Sequence, residues 1–136
     1  MILLTRAVVH PWLCDMMGHL TTRHYMGIFD DATYVLFGKA TGWMPNDANW
    51  AGKGWADVRH EIDYVAELSA GTTVEVHGAV GKIGRTSMEY SLDVRSFPRG
   101  EVAARLGGKS VFFDLVARKA TPITDAMRAR AAADGA

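Results

Sequence analysis

Between positions 25 and 37, apolar residues recur at spacings of three and four: Tyr25, Ile28, Phe29, Ala32, Leu36 and Phe37. That period belongs to a helix, with Thr21 or Thr22 as its cap and Gly38 or Gly42 as its stop, so the pattern predicts a helix over roughly residues 22–40. Met26, Tyr34 and Val35 add bulk on both flanks, which predicts a largely enclosed helix. Elsewhere the pattern is that of strands. Ile2 to His10 is rich in Ile, Leu and Val and stops at Pro11, which cannot donate to a sheet ladder. Further strands are expected over Trp55–Leu68, Thr72–Val80, Thr86–Ser96 and Glu101–Ala117. The cleanest alternation sets Met88, Tyr90, Leu92 and Val94 on one face against Ser87, Glu89, Ser91, Asp93 and Arg95 on the other, as a half-buried antiparallel strand requires.

Turn chemistry separates these runs. Gly81-Lys82-Ile83-Gly84 and Phe97-Pro98-Arg99-Gly100 each close a hairpin, while Gly107-Gly108 reads either as a tight turn or as a bulge inside one long strand. Gly42 to Gly54, with Trp43, Pro45, Asn46, Asp47, Asn49 and Trp50, reads as a long loop able to cover a pocket. A weak helix follows from Asp125, and residues 129–136 read as a loose tail. One strand, a long helix, about four strands and a weak helix make an α+β domain in which an antiparallel sheet wraps one helix. At 136 residues the chain is sized for a single domain spanning 1–136.

Composition narrows the function classes. Hydrophobic residues make up 49% and charged residues 22%, the balance of a globular chain. Fifteen basic and fifteen acidic residues cancel and form no basic block, so neither nucleic acid nor an anionic membrane is an expected partner. The start, Met1-Ile2-Leu3-Leu4-Thr5-Arg6, is too short an apolar run for a signal peptide or a span, and the single Cys14 fits a reducing compartment, so a cytoplasmic location is expected. Neither disulfide nor metal-ligand spacing is present, and no metal or cofactor is expected.

The segment Leu13-Cys14-Asp15-Met16-Met17-Gly18-His19-Leu20-Thr21-Thr22-Arg23-His24-Tyr25 carries the best candidate chemistry. It brings a carboxylate, Asp15, to the mouth of the apolar helix, where unpaired N–H groups and the positive dipole end can hold a developing oxyanion. The competing reading of Asp15 is a turn residue bonded to its own backbone, common for Asp near Gly. His19 is a pocket residue or a structural one, and Tyr25 reads as core with its hydroxyl bonded. Asp30 and Asp31 are the alternative carboxylates; adjacent on a helix, they point about 100° apart and cannot converge on one atom. Trp43, Trp50 and Trp55 either line a pocket or anchor the loop.

Cys14 to Leu20, followed by Tyr25 and Asp30-Asp31-Ala32, resembles the Asp-x-x-Gly-His pattern of hot-dog acyl-CoA thioesterases of the 4-hydroxybenzoyl-CoA thioesterase-like branch. Weaker correspondence continues through Gly84-Arg85-Thr86-Ser87 and Phe113-Asp114, covering roughly residues 4–122. The resemblance implies a hot-dog fold and a bulge at Gly107-Gly108. It makes Asp15 the catalytic carboxylate, nucleophile or general base, and puts the oxyanion contact at the Thr22 N–H with Arg23 and His24 as neighbours. It implies substrate contacts at Gly18, His19 and Tyr25, and makes a pocket lined by the tryptophans an acyl pocket. Arg85, Thr86 and Ser87 fall where family members contact coenzyme A, a part of the substrate rather than a cofactor; Arg59, Arg105 and Lys109 are weaker candidates. Leu13 stands where many members have a first Asp, and Thr21-Thr22 replaces a frequent Asn pair. A homodimer with the site at the subunit boundary is expected, with a homotetramer as its extension, because a lone hot-dog sheet has an open edge and a shallow cleft. The rival classes are a hot-dog enoyl-CoA hydratase or dehydratase using His19 with Asp15, and a module that binds acyl-CoA without turnover.

Overall fold

The alternating runs form strands and the long-period run forms a helix. In the computed structural model, which describes residues 1–133, the order is β1 (Ile2–Val8), α1 (Thr22–Thr41), β2 (Lys53–Tyr64), β3 (Thr73–Ile83), β4 (Ser87–Phe97), β5 (Val102–Asp114), a two-residue β6 (Lys119–Ala120) and α2 (Asp125–Ala133). Strands run antiparallel in the order β1-β3-β4-β5-β2, with β6 added to β5. The sheet curls around α1 in the hot-dog arrangement. Between them lies one core, in which Phe29, Leu36 and Phe37 of α1 meet Val74, Val76, Met88, Leu92 and Leu106 of the sheet.

Helix α1 buries the six expected apolar residues and adds Thr33 and Thr41, whose hydroxyls donate to the Phe29 and Phe37 carbonyls at 2.8 and 2.6 Å. Thr21 caps through its backbone: its carbonyl accepts from the His24 and Tyr25 N–H groups, while its side chain makes no capping bond. Gly42 stops the helix at φ +80° and donates its N–H to the Gly38 carbonyl. The expected enclosure fails on one side. Arg23, Asp30, Asp31 and Tyr34 face outward, because the sheet covers a single face of α1 and charged side chains retain their water.

Strand β2 starts at Lys53 and ends at Tyr64, short of the expected Leu68. Gly107-Gly108 is neither a turn nor a bulge: both lie in the unbroken run of β5, opposite Glu61 and His60. The register shifts fall elsewhere, at Val58 between Asp57 and Arg59, and between Val94 and Arg95 opposite Ala103. The reason for a bare Gly108 is steric, since a Cβ there would collide with the ring of Tyr90. Residues 129–133, read from sequence as loose tail, belong to α2, which buries Met127 and Ala131; the rest of that tail, 134–136, lies outside the described residues.

Candidate active site

After a short 3-10 turn at Pro11–Leu13, Cys14 pairs with Leu20 and the chain reverses between them. Gly18 makes the reversal at φ +80° and donates its N–H to the Asp15 carbonyl at 3.0 Å. Asp15 Oδ1 accepts from the Met17 N–H at 2.9 Å and the His19 N–H at 3.3 Å. Asp15 is therefore a turn residue bonded to its own backbone, as the plainer reading of the sequence had it. Its Oδ2 has no partner among the described residues. The Thr21 N–H donates to the Leu13 carbonyl and the chain enters α1 directly, so the Thr22 and Arg23 N–H groups have no acceptors among the described residues, as a first helical turn dictates. Asp15 and Thr22 line one cleft of about 250 Å³ with His19, Tyr25, Tyr64 and Glu67. Gly18 contributes through the turn it makes, and the Arg23 side chain is exposed.

The two rings expected here take supporting places. His19 Nε2 lies 3.3 Å from Glu67 Oε2, so its side chain faces Glu67; it meets Asp15 through its backbone, the N–H donating to Oδ1 and the carbonyl accepting the Asp15 N–H at 2.9 Å. Tyr25 is buried edge-on against Tyr64, with centroids 5.2 Å apart. Burial, then the neighbouring Tyr64 and Glu67, pushes its phenol up, which keeps it neutral. Tyr64 and Glu67 come from the end of β2 and the loop beyond it. Neither carries a local motif, and only the sheet's return to the start of α1 brings them to Asp15.

A second carboxylate went unnoticed in the sequence. Asp57 of β2 accepts at Oδ1 from the Tyr90 hydroxyl at 3.1 Å and the buried Ser110 hydroxyl at 2.5 Å. His60 Nε2 lies 3.1 Å from the Tyr90 oxygen. Asp30 lies within electrostatic reach: partial burial first, then Asp57 and Asp31, raises its carboxyl. Asp30 and Asp31 are both exposed on the outer strip of α1 and line no part of the Asp15 cleft.

Gly84, Arg85 and Thr86 form the β3–β4 turn and Ser87 opens β4, so the hairpin expected at Gly81–Gly84 closes later, Gly81 to Ile83 remaining in β3. Val8 pairs with Thr73 at one end of β3, beside the Asp15 segment, and Ile83 stands at the other, so ten residue steps of a curled strand lie between that end and this turn within one chain. Arg59 is paired with Glu61 at 2.9 Å and Arg105 lies 3.8 Å from Asp93, both on strands. The tryptophans anchor the loop and line a cavity. Trp43 is a buried anchor donating to the Lys53 carbonyl at 3.2 Å, and with Tyr34, Trp50 and Trp55 it walls a cavity of about 670 Å³.

Comparison with known proteins places the fold and the family. The model of the Thioesterase-like superfamily matches residues 9–131. The SAV2348 protein of Staphylococcus aureus, solved in complex with CoA, superposes with a TM-score of 0.84 at 17% identity, over 98% of this chain and 85% of that one. A predicted thioesterase from Bacillus stearothermophilus gives 0.81 at 22% identity, over 95% and 92%. A thioesterase from Thermus thermophilus, complexed with coenzyme A and Zn, gives 0.79 at 22% identity, over 95% and 96%. No curated protein sequence matches the chain. No described helix is long and apolar enough to cross a membrane. The chain belongs to the Thioesterase-like superfamily, and with it to the enzymes that hydrolyse thioesters.

Proposed function

We propose that this protein hydrolyses an acyl-CoA thioester to a free acid and CoA, in the manner of the 4-hydroxybenzoyl-CoA thioesterase-like branch. The observation that carries the reading is the shared cleft: a carboxylate with one committed and one uncommitted oxygen stands beside acceptor-free N–H groups at the start of α1. CoA bound to the Staphylococcus and Thermus neighbours supports CoA as the leaving group.

The thioester carbonyl is electrophilic enough to need a placed nucleophile and a donor for its oxygen. The Thr22 N–H takes the developing oxyanion. By the nucleophilic route, Asp15 Oδ2 bonds to the carbonyl carbon, the C–S bond breaks, CoA leaves as a thiolate that is then protonated, and water cleaves the mixed anhydride. By the general-base route, Asp15 takes a proton from water as the water oxygen attacks the same carbon, the C–S bond then breaks, and the departing CoA thiolate takes up that proton, leaving Asp15 ionised again. No cofactor enters either route. A single turnover in isotope-labelled water separates them, because label entering the Asp15 carboxylate belongs to the first alone.

Arg85, Thr86 and Ser87 supply cation and hydroxyls for the phosphates of CoA. They stand at the end of β3 opposite the Asp15 segment, and in this reading they serve the site of a second copy. Strand β2, last in the sheet, offers a free edge of 12 residues with Val58 exposed. Pairing two such edges about a two-fold axis yields a homodimer whose site lies at the subunit boundary, and further pairing yields a tetramer. The deciding assay is a panel of aryl, short, medium and long acyl-CoA esters run with wild type and Asp15→Asn. Turnover by wild type and its loss in the folded variant is the expected result. Binding without turnover by either protein would reduce the chain to a binding module, equal turnover would remove Asp15 from the chemistry, and consumption of an enoyl ester without thiol release would make it a hydratase.

A further inference from the structure

The β3–β4 turn is held from behind by a residue that no motif singles out. Arg128 of α2, half-buried, donates through Nη2 to the Gly84 carbonyl at 2.6 Å and to the Arg85 carbonyl at 3.3 Å. The Arg85 carbonyl takes a further bond from the Ile123 N–H at 2.9 Å, and the Thr86 carbonyl accepts from the Phe112 N–H at 2.8 Å. Three successive carbonyls of the turn are thus engaged by the body of the protein. The Arg85 and Thr86 N–H groups have no acceptor among the described residues, and the Arg85 side chain is exposed. Gly84 completes the device, since a Cβ there would stand 2.9 Å from the Ser87 hydroxyl and open the turn. A turn with its oxygens tied back and its N–H groups and guanidinium presented forward is an anion receptor. Its affinity depends on remaining in that one conformation.

We infer that Arg128 is a positioning residue for binding of the anionic, phosphate-bearing part of the substrate: it locks the Gly84–Ser87 turn with its donors outward and does not itself touch the reacting atoms. This rests on the reading of the turn as the CoA contact. Arginine suits the role because Nη2, fixed in the guanidinium plane, directs its two N–H groups to the two carbonyls, whereas a lysine ammonium rotates about its stem.

The test uses two esters of one acyl group, the CoA ester and the N-acetylcysteamine ester, which has the thioester and no phosphate. Arg128→Ala is expected to raise KM for the CoA ester about five- to tenfold with kcat little changed, and to leave KM for the N-acetylcysteamine ester where it was. Arg128→Lys should fall between wild type and Arg128→Ala. Adenosine 3′,5′-bisphosphate, as a competitive inhibitor, should weaken by the same factor. Arg85→Ala tests the underlying reading, and its KM for the CoA ester should also rise. If Arg85→Ala raises that KM and neither Arg128 variant does, the inference about Arg128 is overturned while the turn stands. An unchanged KM in Arg85→Ala overturns the turn itself. Equal losses on both esters, kcat included, reduce Arg128 to a structural brace; should Arg128→Ala not fold, the KM split in Arg128→Lys decides.

Discussion

Two carboxylates in this molecule are held by opposite means. Asp15 is fixed by its own turn, through N–H groups two and four residues ahead, and opens onto a cleft where other N–H groups wait unpaired. Asp57 is fixed by hydroxyls from two other strands, Tyr90 and Ser110, which lie 33 and 53 positions away in sequence. The first arrangement leaves donors for a substrate oxygen; the second spends its donors on the carboxylate. On the proposed mechanism, this difference separates the reacting acid from the structural one more cleanly than exposure does, since both side chains are only partly buried.

The largest expected effect comes from Asp15. Asp15→Ala should lower kcat about 10³-fold, roughly 4 kcal/mol of transition-state stabilisation, measured on whichever acyl-CoA the wild type turns over. Asp15→Asn sharpens the contrast by keeping an acceptor for the Met17 and His19 N–H groups. Its stability to denaturant should match wild type while its turnover stays as low as that of Asp15→Ala. Recovery of activity in Asp15→Asn would remove Asp15 from the chemistry.

On the Asp57 side, Gly108→Ala drives a methyl into the Tyr90 ring and should cost about 1–3 kcal/mol of stability by denaturant unfolding. Tyr90→Phe removes one donor from Asp57 and should cost about 1–2 kcal/mol while leaving kcat within about twofold. A fall in kcat comparable to that of Asp15→Ala would put Asp57 in the mechanism and erase the distinction.

Two smaller effects follow. Mixing Asp15→Ala and Arg85→Glu chains should restore about one quarter of wild-type activity at low substrate, because half the dimers are mixed and each holds one intact site of two. No restoration would mean that the site is built within one chain. Finally, burial first and then the Asp57 charge pushes the Tyr90 phenol up from its ordinary 10.0. Folding therefore favours the neutral phenol, and that contribution is complete below about pH 10 and is lost as pH rises through the folded value. Wild type should lose stability faster than Tyr90→Phe above about pH 10, seen as converging denaturation midpoints.

What the sequence made legible was whatever a short stretch of chain decides. The period of α1, the alternation of β4, the hairpin at Phe97–Gly100 and the Asp15 turn all follow from neighbours within a few residues. The misreadings share one cause, the placement of distant segments. Gly107-Gly108 carries every local mark of a break, yet β5 runs through it because a ring from β4 fills the vacancy. Ser110, a polar residue at 0% exposure, and Asp57 read alone as solvated strand positions; only the pairing of β2 with β5 sets them face to face. The outward strip of α1 escaped for the same reason, since the helix period shows which side is apolar and not how much of the circumference a sheet will cover.

Gly108 and Tyr90 also carry a lesson for divergence. They occupy a single volume shared between two strands, so neither position can enlarge alone. Relatives that drift at one of these sites should drift at the other in the same step, trading ring for side chain, and a smaller residue at 90 should let 108 accept alanine at little penalty. The pair thus behaves as one heritable unit separated by 18 positions of chain.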